Sequence, residues 1–278
     1  NATDKVILDE SSRISNSVSE GDIGEPGNIN IITNSLFLTN GSQIVTSTFG
    51  GANSGIVRIN AIDISINGID DFGNASGIFS RVEENAIGNS KGININTVNF
   101  SLTNGARVDS STSGRGDAGG INIITESLFI TNGSYLSADT YGEGDAGNIK
   151  INVSDSISID GNENNSFTGV ASQVGFMGKG NAGGIEITTK NLSVINGGAL
   201  NVDTFGEGNS GNLSIEASNL VEIIGIPNAY GSSTFLTADV NSGAKGQGGN
   251  LTITTKKLSV KDGGLVSTNT FGEGNAGN

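Results

Sequence analysis

The side chains able to do acid-base, nucleophilic or metal chemistry are few in kind. The 278 residues include 28 acids and 14 bases but no histidine and no cysteine. That removes Ser-His-Asp and Cys-His nucleophile systems, ordinary zinc sites, histidine-ligated haem and disulfide scaffolds. Catalysis would fall to carboxylates, lysine, tyrosine and hydroxyls. Glycoside chemistry needs two or three carboxylates converging about 5 to 9.5 Å apart, and the nearest candidates are Asp70 and Asp71, and Asp139 or Asp203 in the expected third strand of a repeating unit. Arg115-Gly116-Asp117 has the composition that integrins read in an exposed turn. Turns of the form Gly-x-Gly-Asp, such as 142–145 with Glu143 and Asp145, share glycine and aspartate with calcium-binding nonapeptide repeats. No Gly-x-x-x-x-Gly-Lys-Ser/Thr run offers a phosphate cradle. Phe72, Phe167 and Tyr230 each stand alone in a longer polar segment, where an aromatic ring could contact a sugar or a protein.

What must position these residues is a repeat. Stacking the chain on its Asn-Gly and Asp-Gly dipeptides gives eight units, whose first apolar residues are Ile29, Ile56, Ile93, Ile121, Ile149, Ile185, Leu213 and Leu251. Twelve positions on, each unit has a glycine: Gly41, Gly68, Gly105, Gly133, Gly161, Gly197, Gly225 and Gly263. These are assigned as structural turn glycines, all at one corner. The length differences between units are read as falling after that glycine. Five short units have apolar residues at offsets 0, 2, 7 and 9; those beginning at Ile56, Ile149 and Leu213 have them at 0, 8 and 10. Alternation with period two predicts strands with one buried face, and no unit shows helical spacing. A third strand is expected after the glycine, over 44–48, 108–112, 136–140, 200–204 and 266–270.

Three short strands in about 28 residues cannot bury their apolar faces alone, but they can if each unit is one turn of a coil stacked on the next. The expectation is an all-β, right-handed parallel β-helix of three sheets and eight to nine coils, with almost no helix. Residues 1–278 form one segment, 1–28 being a partial first coil and 29–278 eight coils. Equivalent residues should then lie above one another. Thr48, Thr112, Thr140, Thr204 and Thr270 would form a hydroxyl ladder, and Asn40, Asn104, Asn132 and Asn196 an amide ladder ending in Asp262.

The same alignment weakens the chemical candidates. Arg115 has Glu143 and Glu207 as equivalents, which makes it a variable solvent position of a recurrent turn. Asp139 and Asp203 have Ser47, Ser111 and Asn269 as equivalents, which makes them rungs of a polar ladder. The acidic turn occurs once per coil rather than in tandem nines, too sparse to surround calcium. No metal and no cofactor is therefore assigned. The better functional location is the three insertions, 69–76, 162–168 and 226–234, which carry Phe72, Phe167 and Tyr230 and should emerge from one edge of the rod. Two readings stand for these rings, and the preferred one is that each folds back over the outer face of its own sheet to cover it; the other is contact with a sugar or a protein.

The run Thr-Phe-Gly-Glu-Gly-Asn-Ala-Gly-Asn at 270–278, its relatives at 140–148 and 204–212, and the recurrent Leu-x-Leu-x-Asn-Gly pattern resemble the repeats of large cyanobacterial exoproteins of the filamentous haemagglutinin-like family. The resemblance covers nearly the whole chain but not that family's amino-terminal secretion domain. It implies a parent exported by two-partner secretion through an outer-membrane transporter, folding outside the cell, and serving as an adhesin or surface filament. Both ends of the chain fall within coils, as expected of an excised segment, and such open ends are expected to associate end to end.

Composition agrees with an exterior shaft. Forty-four glycines with two prolines exclude collagen, and 15% charged residues with a net charge of −14 separate the chain from charge-rich disordered segments. The acidic balance argues against nucleic acid as a partner, and no apolar run is long enough for membrane insertion. The sequence reading is a non-catalytic, secreted or cell-surface segment presenting loops to a cell-surface glycan or protein. Its rivals are a polysaccharide-degrading lyase or hydrolase and the shaft of a contact-dependent toxin-delivery protein.

Overall fold

The computed structural model describes residues 1–161, 166–226 and 234–278. Among these residues every regular element is a strand, and the chain winds as a parallel β-helix of nine coils. Each coil has three strand segments. The third segments form a nine-stranded sheet in chain order, from Arg13–Ser15 to Leu265–Ser267. The first and second segments share a twelve-stranded sheet. They are separate in early coils, as in Ile29–Ile32 and Ser35–Thr39, and run as single strands from Ile121–Thr131 onward. All strand pairs are parallel.

Alternation is what selects this structure. In Ile121–Thr131 the side chains of Ile121, Ile123, Leu128 and Ile130 are fully enclosed, while Asn122 and Ile124 face out. In-register stacking then places Ile93, Ile121, Ile149, Ile185 and Leu213 in one column inside the rod. Each enclosed Ile or Leu contributes roughly 1.5–3 kcal/mol relative to exposure. At the bend between the first two segments a threonine hydroxyl ties one coil to the one before it: Thr97 donates to the Ile62 carbonyl and Thr125 to that of Val98, both at 2.8 Å.

Two details of the repeat differ from the sequence reading. Ile29 pairs with Val57 rather than Ile56, so that coil carries Val57, Ile59, Ile64 and Ile66 at the short-unit offsets. With this register, first-segment partners lie 28 apart where the lower coil is short, as in Ile93 and Ile121 or Ile185 and Leu213. Across the long coils they lie 36 or 38 apart. The insertions are also not confined to one place. The coils beginning at Ile149 and Leu213 each gain a residue as a bulge between the first two segments, at Asn152/Ser156 and Ala217/Leu220.

The corner glycines consequently fall into two sets. In the short coils, Asn or Asp and the glycine after it both have positive φ, as at Asn132 (52°) and Gly133 (77°), the backbone of a tight type I′ turn. In the long coils Asn67, Asp160 and Ile224 pair with Thr103, Ile195 and Lys261, so Gly68, Gly161 and Gly225 stand one step earlier, at the asparagine register. Gly161 is required there by proximity rather than by φ, since a Cβ would lie 2.3 Å from the Gly197 carbonyl carbon.

The threonine ladder is corrected as well. Single-residue bridges run Thr48, Val82, Thr112, Thr140, Val174, Thr204, Val240 and Thr270, so long coils put valine where short coils put threonine. The hydroxyls of Thr112, Thr140, Thr204 and Thr270 are buried with no hydrogen-bond partner. The column is selected for β-branched shape, not for hydroxyl bonding. Among the described residues the amide ladder is present in separate pieces rather than as one column: the Asp9–Asn40 pair, the Asn67–Asn104–Asn132 run and the Asp160–Asn196 pair are not joined by side-chain bonds, and Asp262 takes part in none of them. Asn40 donates to Asp9, Asn104 to Asn67, Asn132 to Asn104 and Asn196 to Asp160, at 2.8–3.1 Å.

Candidate functional site: ladders and loops on the rod

The Arg-Gly-Asp tripeptide is absorbed into two ladders. Arg115 Nε lies 3.1 Å from Glu143 Oε2. Asp117 accepts the backbone N–H of Asp145 at 2.9 Å, and its own N–H donates to Asn89 Oδ1 at 2.8 Å. This second ladder runs from Asn53 through Asn89, Asp117, Asp145, Asn181, Asn209 and Gln247 to Asn275. In each step a side-chain oxygen accepts the N–H of its equivalent in the next coil. Asp145, the calcium candidate, is one rung of it. Among the described residues no three acidic side chains are grouped so as to hold a metal ion.

Of the four carboxylates proposed for acid-base work, Asp139 and Asp203 are enclosed, whereas Asp70 and Asp71 are on the surface. Asp139 is 2% and Asp203 5% exposed. Asp139 accepts hydrogen bonds from the Ser137 and Tyr141 hydroxyls and from the N–H of Gln173, one coil on. Asp203 accepts from the N–H of Asp239 at 2.7 Å and from Asn241 Nδ2 at 3.2 Å. Burial raises the Asp139 carboxyl above the usual carboxylate range and pushes Asp203 up to about 6. Tyr141 is likewise raised: about half of the residue is exposed, but its hydroxyl end is desolvated where it meets Asp139, whose charge adds to the effect. Each acid thus splices one coil to the next. Asp239, a rung the sequence reading did not single out, accepts from Ser267 and from the N–H of Asn269. Asp70 lies on the surface and is lowered by bonds from Asn74, Ser11 and the N–H of Phe72. It folds the 69–75 hairpin, which an antiparallel bridge between Ile69 and Ala75 closes; Asp71 joins none of these bonds.

The three aromatic insertions separate. Phe72 sits at the tip of that hairpin and is 90% exposed. Phe167 is half-buried and packs edge-on against Tyr135, with ring centroids 5.8 Å apart, while Arg107 covers Tyr135 at 5.1 Å. It is a cover for its own sheet. Tyr230 lies outside the described residues. Phe167 thus follows the reading in which the ring covers its own sheet, whereas the ring of Phe72 faces solvent.

Two surface features were missed. Bridges connect Arg115, Glu143, Lys179, Glu207, Lys245 and Glu273 in consecutive coils, a row of alternating sign. Aligning short units alone hid it, because both lysines belong to long coils. Phe176 and Met177 form an apolar tip, 79% and 78% exposed, that no repeat position announced. The surface also carries open hollows. One of about 500 Å³ flanks Asn148 and the Lys150–Glu186 ion pair, and one of about 430 Å³ has Phe49, Ile23, Glu20 and Glu84 in its walls.

No protein-family model matches the chain, and no match was found among curated proteins or solved structures.

Proposed function

We propose that the chain is a non-catalytic shaft segment of a secreted or cell-surface adhesin or filament, extending its parent away from the cell and presenting loops such as the Phe72 hairpin. The observation that carries this reading is the unbroken side-chain ladder from Asn53 to Asn275. A site built for chemistry has to interrupt a repeat where its groups converge. Here the acids at 139, 203 and 239 are bonded to the next coil in the same way as their neutral counterparts. Length is what such a rod supplies, at about 4.8 Å per coil. Repeated weak contacts along it gain avidity against a repetitive surface, whether a glycan or a protein. Export of the parent through an outer-membrane transporter belongs to the same proposal and rests on the resemblance of the repeats.

The test replaces the segment, within its parent on the cell, by an unrelated β-helical rod of nine coils, and scores attachment to a surface. Attachment is expected to survive this exchange and to fall when the replacement is cut to four coils. Loss of attachment with the length-matched rod would overturn the shaft reading.

A further inference from the structure

One edge of the rod departs from the rest. The turn after the β-branched column is two residues longer in the coils of Val18, Val82, Val174 and Val240 than in those of Thr112, Thr140 and Thr204. The third residue of each long turn has positive φ: Gly21 (81°), Asn85 (66°), Met177 (70°) and Gly243 (84°). Glycine and asparagine tolerate that backbone, whereas a bulky side chain resists it. Met177 is nevertheless held there, and with Phe176 it is exposed to solvent, in the coil that stacks between those carrying Tyr141 and Phe205. Local strain that serves no packing within the chain points to an outside contact.

Beside this tip runs the row Arg115, Glu143, Lys179, Glu207, Lys245, Glu273. Arg115 pairs with Glu143 at 3.1 Å and Lys245 with Glu273 at 3.5 Å. Among the described residues, Lys179 and Glu207 make no ion pair, and both are exposed. Six alternating charges are self-complementary when the row is turned end for end. With a two-fold axis between Lys179 and Glu207, Lys179 meets Glu207 of the second copy, Glu143 meets Lys245, and Arg115 meets Glu273. The same rotation sets the Phe176–Met177 tip of each copy towards Phe205 of the other. A parallel, in-register arrangement would instead oppose like charges throughout.

We propose that two copies of this chain pair side by side and antiparallel along this edge, with the unpaired Lys179 and Glu207 at the centre. The contact goes beyond the shaft reading, since it ties shafts to one another laterally, and it does not depend on adhesion. The strip spans five coil intervals, about 24 Å, so its area lies at the low end of specific interfaces and the pairing is weak and salt-sensitive.

Sedimentation equilibrium of the full chain, at low and at high salt, tests it. The expected result is a monomer–dimer step that weakens with salt, superimposed on end-to-end stacking of the open coils, which charge reversals at 179 and 207 leave unchanged. Lys179→Glu and Glu207→Lys should each weaken dimerisation roughly tenfold or more, and the two reversals in one chain should restore it. Met177→Gly should weaken pairing while raising Tm, which separates lost contact from lost fold. Because the chain has no cysteine, chains bearing Lys179→Cys and Glu207→Cys can be mixed, and disulfides should form between the two rather than within either population. A monomer at every concentration, an association indifferent to both reversals, or preferential 179–179 linkage would each overturn the proposal.

Discussion

Thr112, Thr140 and Thr204 occupy a buried column whose long-coil members are Val82, Val174 and Val240, and their hydroxyls find no partner. Replacing them with valine keeps the β-branched shape and removes a polar atom that has lost water without gaining a bond. An unmet buried hydroxyl costs about 1–3 kcal/mol, so each Thr→Val change should stabilise the chain by about 1 kcal/mol or more. The three together should give about 3 kcal/mol, or several degrees in Tm at about 2 °C per kcal/mol for a chain of this size. Thr48 is the internal control. Its Oγ1 accepts the Gly50 N–H at 3.4 Å, so Thr48→Val should gain less. The assay is chemical denaturation followed by circular dichroism, with Tm as a second readout. Equal or lower stability for Thr140→Val, or a larger gain at Thr48, would refute the view that this column is selected for shape.

Other expectations concern single sites. Gly133→Val puts a β-branched residue at φ 77° and should cost about 2 kcal/mol; an unchanged Tm would contradict the corner assignment. Phe167→Ala should lower stability by about 1–2 kcal/mol through the lost contact with Tyr135, whereas Phe72→Ala, at a tip 90% exposed, should leave Tm unchanged. The Asp203 carboxyl, pushed up to about 6, keeps its proton in the folded chain at pH values where the unfolded chain has released it. Stability should therefore fall as pH rises from about 4 to about 6, by up to about 3 kcal/mol. Asp203→Asn should flatten that part of the profile, and a wild-type profile already flat between those values would contradict the burial argument. Asp145→Asn, which reproduces the residue at Asn181 and Asn209 in the same ladder, should leave stability unchanged.

The coil and its inward columns were legible because period-two alternation and in-register recurrence are properties of sequence alone. The misplaced start at Ile56 shows the limit. Ile56 and Val57 are both apolar, and only the parallel pairing of Val57 with Ile29 and Ile93 decides between them. The bulges at Asn152/Ser156 and Ala217/Leu220 have the same character, since one extra residue in a strand changes no composition. Threonine looked like a hydroxyl ladder because its valine equivalents lie in coils of different length. Phe167 could not be told from Phe72 by sequence, as both follow a corner glycine in a polar insertion. What separates them is a neighbour, Tyr135, in the preceding coil. The acids at 139 and 203 were placed correctly on a polar ladder, and their enclosure could only come from the packed coil.

The shaft account makes every coil a replaceable length unit. Removing residues 121–148 excises one short coil in register and joins Gly120 to Ile149, two residues bonded in the intact rod to the same stack. Small-angle scattering of that deletion should report a folded rod shorter by about 4.8 Å, and the parent carrying it should attach to surfaces as before. A chain that folds at the shorter length but no longer supports attachment would show that this coil holds a site of its own, and would contradict the account.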